Sequence, residues 1–190
     1  MQLKVLITGY EGAPFYKKGG LGDVMESLPK ALSKIGIDIR IVLPYYNVIK
    51  DKYKLKKEGE FTVEFESVEE HINVYSTILP GSNVKVHFLG NTKYLLSSNS
   101  NGKGKRIEQF AFFGLAVAHF IHYLADHHRW TANIVHCNDW HTAIIPLILK
   151  QKLKLSIPTL LTIHNLLYQG VGSFRILDLL NMEDEETIAL

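Results

Sequence analysis

Apolar residues in the first part of the chain alternate between short runs and a helical stripe. Residues 3–8 form an apolar run that predicts a buried strand, and Asp38–Pro44 is a β-branched run that ends at a proline. Between them, apolar positions in residues 24–35 recur close to the 3.6-residue period, which predicts a helix ending at Gly36. This order predicts a βαβ unit, in which the two strands are parallel.

The middle of the chain changes from a helical to an alternating pattern. Residues 50–60 are lysine-rich and are predicted to form an exposed connection. Three alternating segments then predict half-exposed strands at 61–65, 71–79 and 84–89, with a turn at 80–83. We interpret them as an antiparallel β insertion, followed by a mobile loop over residues 95–105.

The remaining elements return to the α/β alternation. The pattern predicts a largely buried helix over 106–127, a strand at 134–137, a helix over 140–150, a buried strand at 158–163 and one helical run within 172–190. The predicted fold class is therefore α/β: a Rossmann-like, doubly wound, mostly parallel sheet with an antiparallel β insertion.

Composition narrows the function classes without choosing one. Hydrophobic residues make up 46% of the 190 residues and charged residues 21%, as in an ordinary globular domain. The formal net charge of +2 gives no case for nucleic acid or an anionic membrane as partner. The single cysteine, Cys137, excludes an internal disulfide, and the first apolar run is too short for a secretory signal, so we expect a cytoplasmic protein.

Three polar clusters follow predicted strands. They span residues 11–23, 136–141 and 164–170. Because ligands of doubly wound sheets bind beyond the carboxyl ends of the strands, we expect these clusters to meet at one edge and form an active site.

The first cluster contains Lys17-Lys18-Gly19-Gly20-Leu21-Gly22-Asp23-Val24. A glycine-rich turn before a helix exposes backbone N–H groups at the positive end of the helix dipole, and the lysines add charge, so the segment predicts a phosphate site. Its spacing matches neither the P-loop nor the dinucleotide-binding pattern. The alternative is a tight structural turn with solvated lysines, in which Asp23 only stabilises the first helical turn.

The other two clusters leave structural alternatives open. Asp139 could serve catalysis or only cap the following helix, and His164 could be a hydrogen-bonded core histidine. A metal site is weakly supported because no second cluster has ligand spacing. A nucleophilic role for Cys137 is also weak, because its side chain is expected to point into the sheet.

Together these stretches resemble one family, the bacterial, archaeal and plant glycogen/starch synthases, which are retaining glycosyltransferases of the GT-B type. The matching motifs are Glu11-x-x-Pro14-x-x-Lys17-x-Gly19-Gly20-Leu21-Gly22-Asp23-Val24, His136-x-x-Asp139-Trp140-His141 and Thr162-x-His164-Asn165-x-x-Tyr168-Gln169-Gly170. One position departs from the family pattern: Gln109 precedes Phe110 where the family usually has arginine, and no role is transferred there.

The resemblance implies roles for individual residues. Lys17 binds near the phosphates of a nucleotide-sugar donor, and Gly19 and Gly20 offer backbone contacts to phosphate. Asp139 lies near the transferred glucose and the acceptor, and His164 contacts the donor sugar and helps to stabilise the transition state. The further substrate-cleft candidates are Glu11, Asn165, Tyr168, Gln169 and Gly170.

The implied reaction lengthens an α-1,4-glucan at its non-reducing end from ADP-glucose or UDP-glucose, with retention and without metal or cofactor. We expect residues 1–190 to be the N-terminal, acceptor-side domain, incomplete at its C-terminal end, with the C-terminal nucleotide-binding domain absent and the fragment alone inactive. Possible partners are a separate C-terminal half or a second copy. The alternatives are a stand-alone glucan-binding module and the N-terminal domain of another GT-B nucleotide-sugar transferase.

Overall fold

The computed structural model describes residues 2–96, 103–167, 170 and 175–182. Its described part forms a single sheet of seven strands. The strands are β1 Lys4–Thr8, β2 Asp38–Pro44, β3 Lys56–Phe65, β4 Val68–Ile78, β5 Lys85–Gly90, β6 Ile134–Asn138 and β7 Thr159–Thr162. The α-helices are α1 Gly20–Lys34, α2 Asn47–Lys52, α3 Lys103–His128, α4 Ile145–Leu147 and α5 Arg175–Leu179.

The strand order confirms a doubly wound sheet. It runs β3-β4-β5-β2-β1-β6-β7, and all neighbouring pairs from β5 to β7 are parallel. Because successive strands run outward from β1 in both directions, the order reverses between β1 and β6, which creates a crevice at their carboxyl ends. Strands β3 and β4 pair antiparallel beside β5, which confirms the predicted β insertion for these two strands. The third predicted strand of the insertion, β5, is parallel to β2 and belongs to the parallel part of the sheet.

Helices cover both faces of the sheet, and the alternation of side chains in β1 shows why. Leu6 belongs to a core cluster shared with α3, whereas Val5 and Ile7 belong to a second cluster that includes Met25 of α1. The segment Ile107–His128 of α3 is long and apolar enough to cross a membrane, but 72% of its most apolar window is buried inside the domain. This helix is therefore the core helix of the fold, as its broad apolar surface predicts.

The lysine-rich stretch at 50–60 is not one exposed connection. Residues 47–52 form α2, and β3 already begins at Lys56. Since β3 is the outermost strand at its end of the sheet, its lysines can remain in solvent while its backbone pairs with β4. Of the predicted loop at 95–105, residues 97–102 lie outside the described part, and residues 103–105 belong to α3.

Two predictions in the second half of the chain are wrong in detail. The helix predicted over 140–150 is divided into a 3-10 turn at Trp140–Thr142, α4, and a π turn at Ile148–Lys152. Pro146 lies in the first turn of α4, where its missing N–H is tolerated, which favours a new helix start there. Strand β7 is exposed rather than buried, with Leu160 at 51%, because it is the last strand at this end of the sheet.

Candidate active site

The three polar clusters follow neighbouring strands, as expected. Strand β6 lies between β1 and β7, and its pairing register aligns Cys137 with Thr8 and Asn138 with Thr162. The three strands are parallel, so their carboxyl ends lie at one edge of the sheet. The structure therefore brings the loop after β1, Asp139 after β6 and His164 after β7 to the same edge.

Glu11 lies under the glycine loop, and its side chain accepts hydrogen bonds from the loop backbone. The residue is only 8% exposed. Its carboxylate accepts the N–H of Gly19 at 3.0 and 3.1 Å, the N–H of Gly22 at 2.9 Å, and the N–H of Lys18. The carboxylate of Glu11 thus accepts backbone N–H groups of the loop that a phosphate would need. The phosphate contact of Gly19 therefore stays a prediction.

The glycines of the loop have different steric surroundings. A Cβ atom on Gly20, the first residue of α1, would meet nothing within 4 Å. On Gly22, a Cβ atom would lie 2.8 Å from Cγ of Lys17. Gly22, to which the sequence analysis gave no role, is therefore the position where the absence of a side chain lets the lysine pack against the helix start.

Lys17 is ion-paired at the surface of this loop. Its Nζ atom lies 2.7 Å from both carboxylate oxygens of Asp23. The two side chains are 48% and 61% exposed. Asp23 is thus a partner of Lys17 as well as an acidic residue in the first turn of α1. A phosphate arriving here would meet a lysine that is positioned by an adjacent carboxylate.

Asp139 has a strained backbone and a structural tie to the next strand. Its φ angle is +61°, in a region that L-residues rarely adopt, and the residue is 8% exposed. Its N–H donates to the carbonyl of Thr162 at 2.8 Å, and its Oδ1 accepts the N–H of His164 at 2.8 Å. The side chain makes no capping bond to the following 3-10 turn, so the capping alternative is not observed.

His164 is exposed, and its imidazole ring is hydrogen-bonded to a buried side chain. Its Nε2 atom lies 2.9 Å from Oδ1 of Asn138, a completely buried residue at the end of β6. The core-histidine alternative therefore does not describe this residue. Sequence reasoning gave no role to Asn138, because its importance depends on the pairing of β6 with both β1 and β7.

The remaining cleft candidates after β7 are only partly described. Asn165 is exposed, and its Oδ1 accepts the N–H of Leu167 at 2.9 Å, which forms a local turn. Gly170 has a φ angle of +65°, and a Cβ atom there would lie 1.9 Å from the ring of Trp140. Tyr168 and Gln169 lie outside the described residues.

Aromatic rings support this edge of the sheet from the side of α3. His141 stacks on Trp140 with ring centroids 4.0 Å apart and on Tyr10 at 5.4 Å. Phe110 of α3 packs edge-on against Trp140 at 4.7 Å. Burial lowers the pKa of His141 to about 4, although Asp139 and Glu11 act in the opposite direction, so this ring is neutral near pH 7.

The cysteine near this edge is poorly suited to thiol chemistry. Burial raises the pKa of the Cys137 thiol to about 12, so the thiolate is disfavoured. His136 is hydrogen-bonded through Nε2 to Oγ1 of Thr162 at 2.8 Å. Among the described residues, no group of three or more histidine, cysteine, aspartate or glutamate side chains is arranged to hold a metal ion.

Fold and site together define a class: an α/β domain whose polar loops meet at the reversal point of a doubly wound sheet, the usual place for nucleotide ligands. The family model described as "Starch synthase catalytic domain" matches residues 4–189, and the chain belongs to this family. This membership confirms the resemblance to glycogen/starch synthases that the three motifs indicate.

Individual relatives agree with this family. The glycogen synthase of Desulfitobacterium hafniense (strain DSM 10664 / DCB-2) is 40% identical over 176 residues, which cover 89% of this chain and 37% of that protein. The glycogen synthase of Clostridium novyi (strain NT) is 38% identical over 192 residues, which cover 96% of this chain and 39% of that protein. The chain thus spans less than two fifths of the length of these relatives.

A solved structure shows the same fold. The catalytic domain of starch synthase IV from Arabidopsis thaliana, bound to ADP and acarbose, superposes with a TM-score of 0.83 at 24% sequence identity. The match covers 96% of this chain and 38% of that one. It confirms the predicted fold class, a Rossmann-like α/β domain with a mostly parallel sheet.

Proposed function

We propose that this chain is the acceptor-side part of a retaining glucosyltransferase that adds glucose from ADP-glucose or UDP-glucose to the non-reducing end of an α-1,4-glucan. The observation that carries the proposal is the meeting of the Lys17 loop, Asp139 and His164 at the carboxyl ends of β1, β6 and β7. Family membership favours this reaction over other uses of the same fold.

The reaction sets the requirements for these groups. The bond between the anomeric carbon of glucose and a phosphate oxygen breaks, and a bond forms from that carbon to the hydroxyl oxygen of the terminal glucose of the glucan. The hydroxyl proton leaves with the nucleoside diphosphate or passes to solvent. Positive charge stabilises the departing diphosphate, and Lys17 at the N-terminus of α1 provides part of that charge.

Asp139 and His164 suit the sugar rather than the phosphates. Asp139 is an acceptor for sugar hydroxyl groups, whereas the loop after β1 offers a phosphate the charge of Lys17 and the N-terminus of α1. His164 is exposed beside it and is joined to it through its backbone N–H. We therefore assign the sugar to the side of β6 and β7, and the phosphates to the loop after β1.

We also expect that the chain alone transfers no glucose. A diphosphate leaving group requires several converging positive groups. Lys17 is already ion-paired with Asp23, which offsets part of its charge. Incubation of the 190-residue chain with labelled ADP-glucose or UDP-glucose and maltohexaose should give no chain extension. Appreciable extension would contradict this part of the proposal.

Ligand binding can be tested on the chain itself. Titration of ¹⁵N-labelled protein with maltohexaose and, separately, with ADP-glucose should shift backbone resonances near Asp139, His164 and Lys17. The amides of Lys85 and His128, which lie near the opposite edge of the sheet, are the internal control. Shifts confined to that opposite edge at millimolar ligand would overturn the assignment.

Transfer itself can be tested in a fusion protein. This consists of the present chain joined to the part of the D. hafniense glycogen synthase that the chain does not match. The fusion protein should transfer labelled glucose to maltohexaose with retention of the α configuration. A folded fusion protein that binds both substrates but transfers no glucose would argue against the proposed reaction.

A further inference from the structure

Asn138 connects the three strand ends that form the candidate site. It is completely buried and is the last residue of β6. Its Nδ2 atom lies 3.1 Å from the carbonyl oxygen of Thr8 and 3.4 Å from that of His136. Its Oδ1 atom lies 2.9 Å from Nε2 of His164. One amide side chain thus joins the end of β1 to the imidazole that follows β7.

The orientation of this amide is determined by its partners. Backbone carbonyls only accept hydrogen bonds, so the NH₂ group must face Thr8 and His136. The amide oxygen must then face His164, and this oxygen only accepts. The hydrogen bond exists only if Nε2 of His164 carries the proton, and in the neutral ring Nδ1 is then an acceptor.

We propose that Asn138 is a positioning residue that holds His164 as the Nε2–H tautomer, so that Nδ1 accepts a hydrogen bond from a hydroxyl group of the transferred sugar. The step from tautomer to sugar rests on the proposed function, whereas the tautomer itself does not. The backbone N–H of His164 is already fixed by Oδ1 of Asp139, so Asn138 supplies the remaining restraint, on the ring.

The tautomer has a consequence for ligand choice. A hydroxyl group can donate to Nδ1 of a neutral imidazole, whereas an ionised phosphate has no proton to donate. A ring held in this form therefore selects a sugar hydroxyl and disfavours a phosphate at the same point. This agrees with the separation of the sugar side from the Lys17 loop.

The proposal can be tested by NMR on the 190-residue chain with ¹⁵N-labelled histidine. At pH 8, above the ordinary histidine pKa of about 6.5, long-range ¹H–¹⁵N spectra distinguish the two neutral tautomers. His164 should show only the Nε2–H form, with a slowly exchanging Nε2–H proton. Asn138→Ala should lose that protected proton and gain a population of the Nδ1–H form.

Two further variants separate positioning from a general loss of packing. Asn138→Asp keeps an acceptor for His164 and should retain its protected Nε2–H proton. Thr162→Val nearly preserves the shape of the side chain but removes the hydroxyl group that is hydrogen-bonded to His136. It should alter the exchange of the His136 ring proton without changing His164. Together they show whether the effect follows the acceptor on residue 138.

The outcomes are distinct. An Nδ1–H ring at His164 in the unmodified chain would overturn the proposal even if every variant failed to fold. An unchanged tautomer and protected proton in folded Asn138→Ala would overturn it as well. Since no donor or transfer step is involved, failure of the proposed glucosyl transfer would leave the tautomer result standing.

Discussion

Glu11 should be a large single contributor to the stability of the first loop. Its buried carboxylate accepts three backbone N–H groups, those of Lys18, Gly19 and Gly22. Glu11→Gln keeps the shape of the side chain and replaces one oxygen by an NH₂ group. Because Lys18 bonds to one oxygen and Gly22 to the other, either orientation of the amide leaves one of these donors facing another donor.

The size of the effect follows from these contacts. A buried donor left without an acceptor costs about 1–3 kcal/mol, and each remaining bond loses about 1 kcal/mol when its acceptor is no longer charged. We therefore expect Glu11→Gln to lower the free energy of unfolding by about 3–5 kcal/mol. A domain is typically stable by about 5–15 kcal/mol, so the variant should still fold.

Urea denaturation followed by circular dichroism measures this difference, and amide hydrogen exchange locates it. The N–H groups of Lys18, Gly19 and Gly22 should exchange faster in Glu11→Gln. The matched control is Asp23→Asn, which removes the exposed partner of Lys17 in the same loop and should cost less than about 1 kcal/mol. If Glu11→Gln stays within about 0.5 kcal/mol of the unmodified chain, the loop does not depend on this carboxylate.

Burial lowers the pKa of His87 to about 4, whereas the pKa of a histidine in the unfolded chain is about 6.5. The unfolded state therefore binds the proton first as the pH falls, so His87 should contribute a decrease of about 3 kcal/mol in the free energy of unfolding from about pH 6.5 to 4. Because burial also lowers the pKa of His141 to about 4, that residue contributes in the same range, and urea titrations of His87→Phe should show a decrease that is smaller by about 3 kcal/mol than in the unmodified chain. Gly170→Ala should lower Tm and change tryptophan fluorescence, since its Cβ would lie 1.9 Å from the ring of Trp140. Gly36→Ala is the control, because Gly36 also has a positive φ but faces open space, and an equal loss of Tm would exclude the clash. In the fusion protein, Lys17→Ala should raise KM for the nucleotide-glucose donor roughly tenfold or more, and an unchanged KM would remove Lys17 from the donor site.

The layout of the site could be predicted because it depends on strand order. Apolar runs predict the positions of β1, β6 and β7 to within one or two residues. The α/β alternation predicts that these strands are parallel. Parallel strands place their following loops at one edge. Strand order is therefore sufficient to predict that the segments carrying Lys17, Asp139 and His164 lie at the same edge of the sheet.

The interactions within the site could not be predicted in the same way. Glu11 is the buried partner of amides 7 to 11 positions further along the chain, which requires the conformation of the intervening loop. The contact of Asn138 with Thr8 joins positions 130 residues apart. The side chain of Asp139 turns to the backbone of His164 instead of capping its own helical turn.

The exposure of β7 illustrates another limit. Its apolar sequence predicts burial, but whether an apolar strand is buried depends on what packs beside it. As the outermost strand of the described sheet, β7 leaves Leu160 and Leu161 exposed at 51% and 40%. A pattern of side chains reveals a preference for burial, whereas the neighbouring elements decide the outcome.

The most direct test of the account is the turnover number of the fusion protein with and without His164→Ala. We expect the unmodified fusion protein to transfer glucose to maltohexaose, and His164→Ala to lower kcat roughly a hundredfold while changing KM for the donor much less. His164→Ala removes the donor to the buried Oδ1 atom of Asn138, so we expect it to lower the free energy of unfolding by about 1–3 kcal/mol, and the fusion protein should still fold. A His164→Ala protein with the kcat of the unmodified fusion protein would contradict the assignment of this edge as the site of glucosyl transfer.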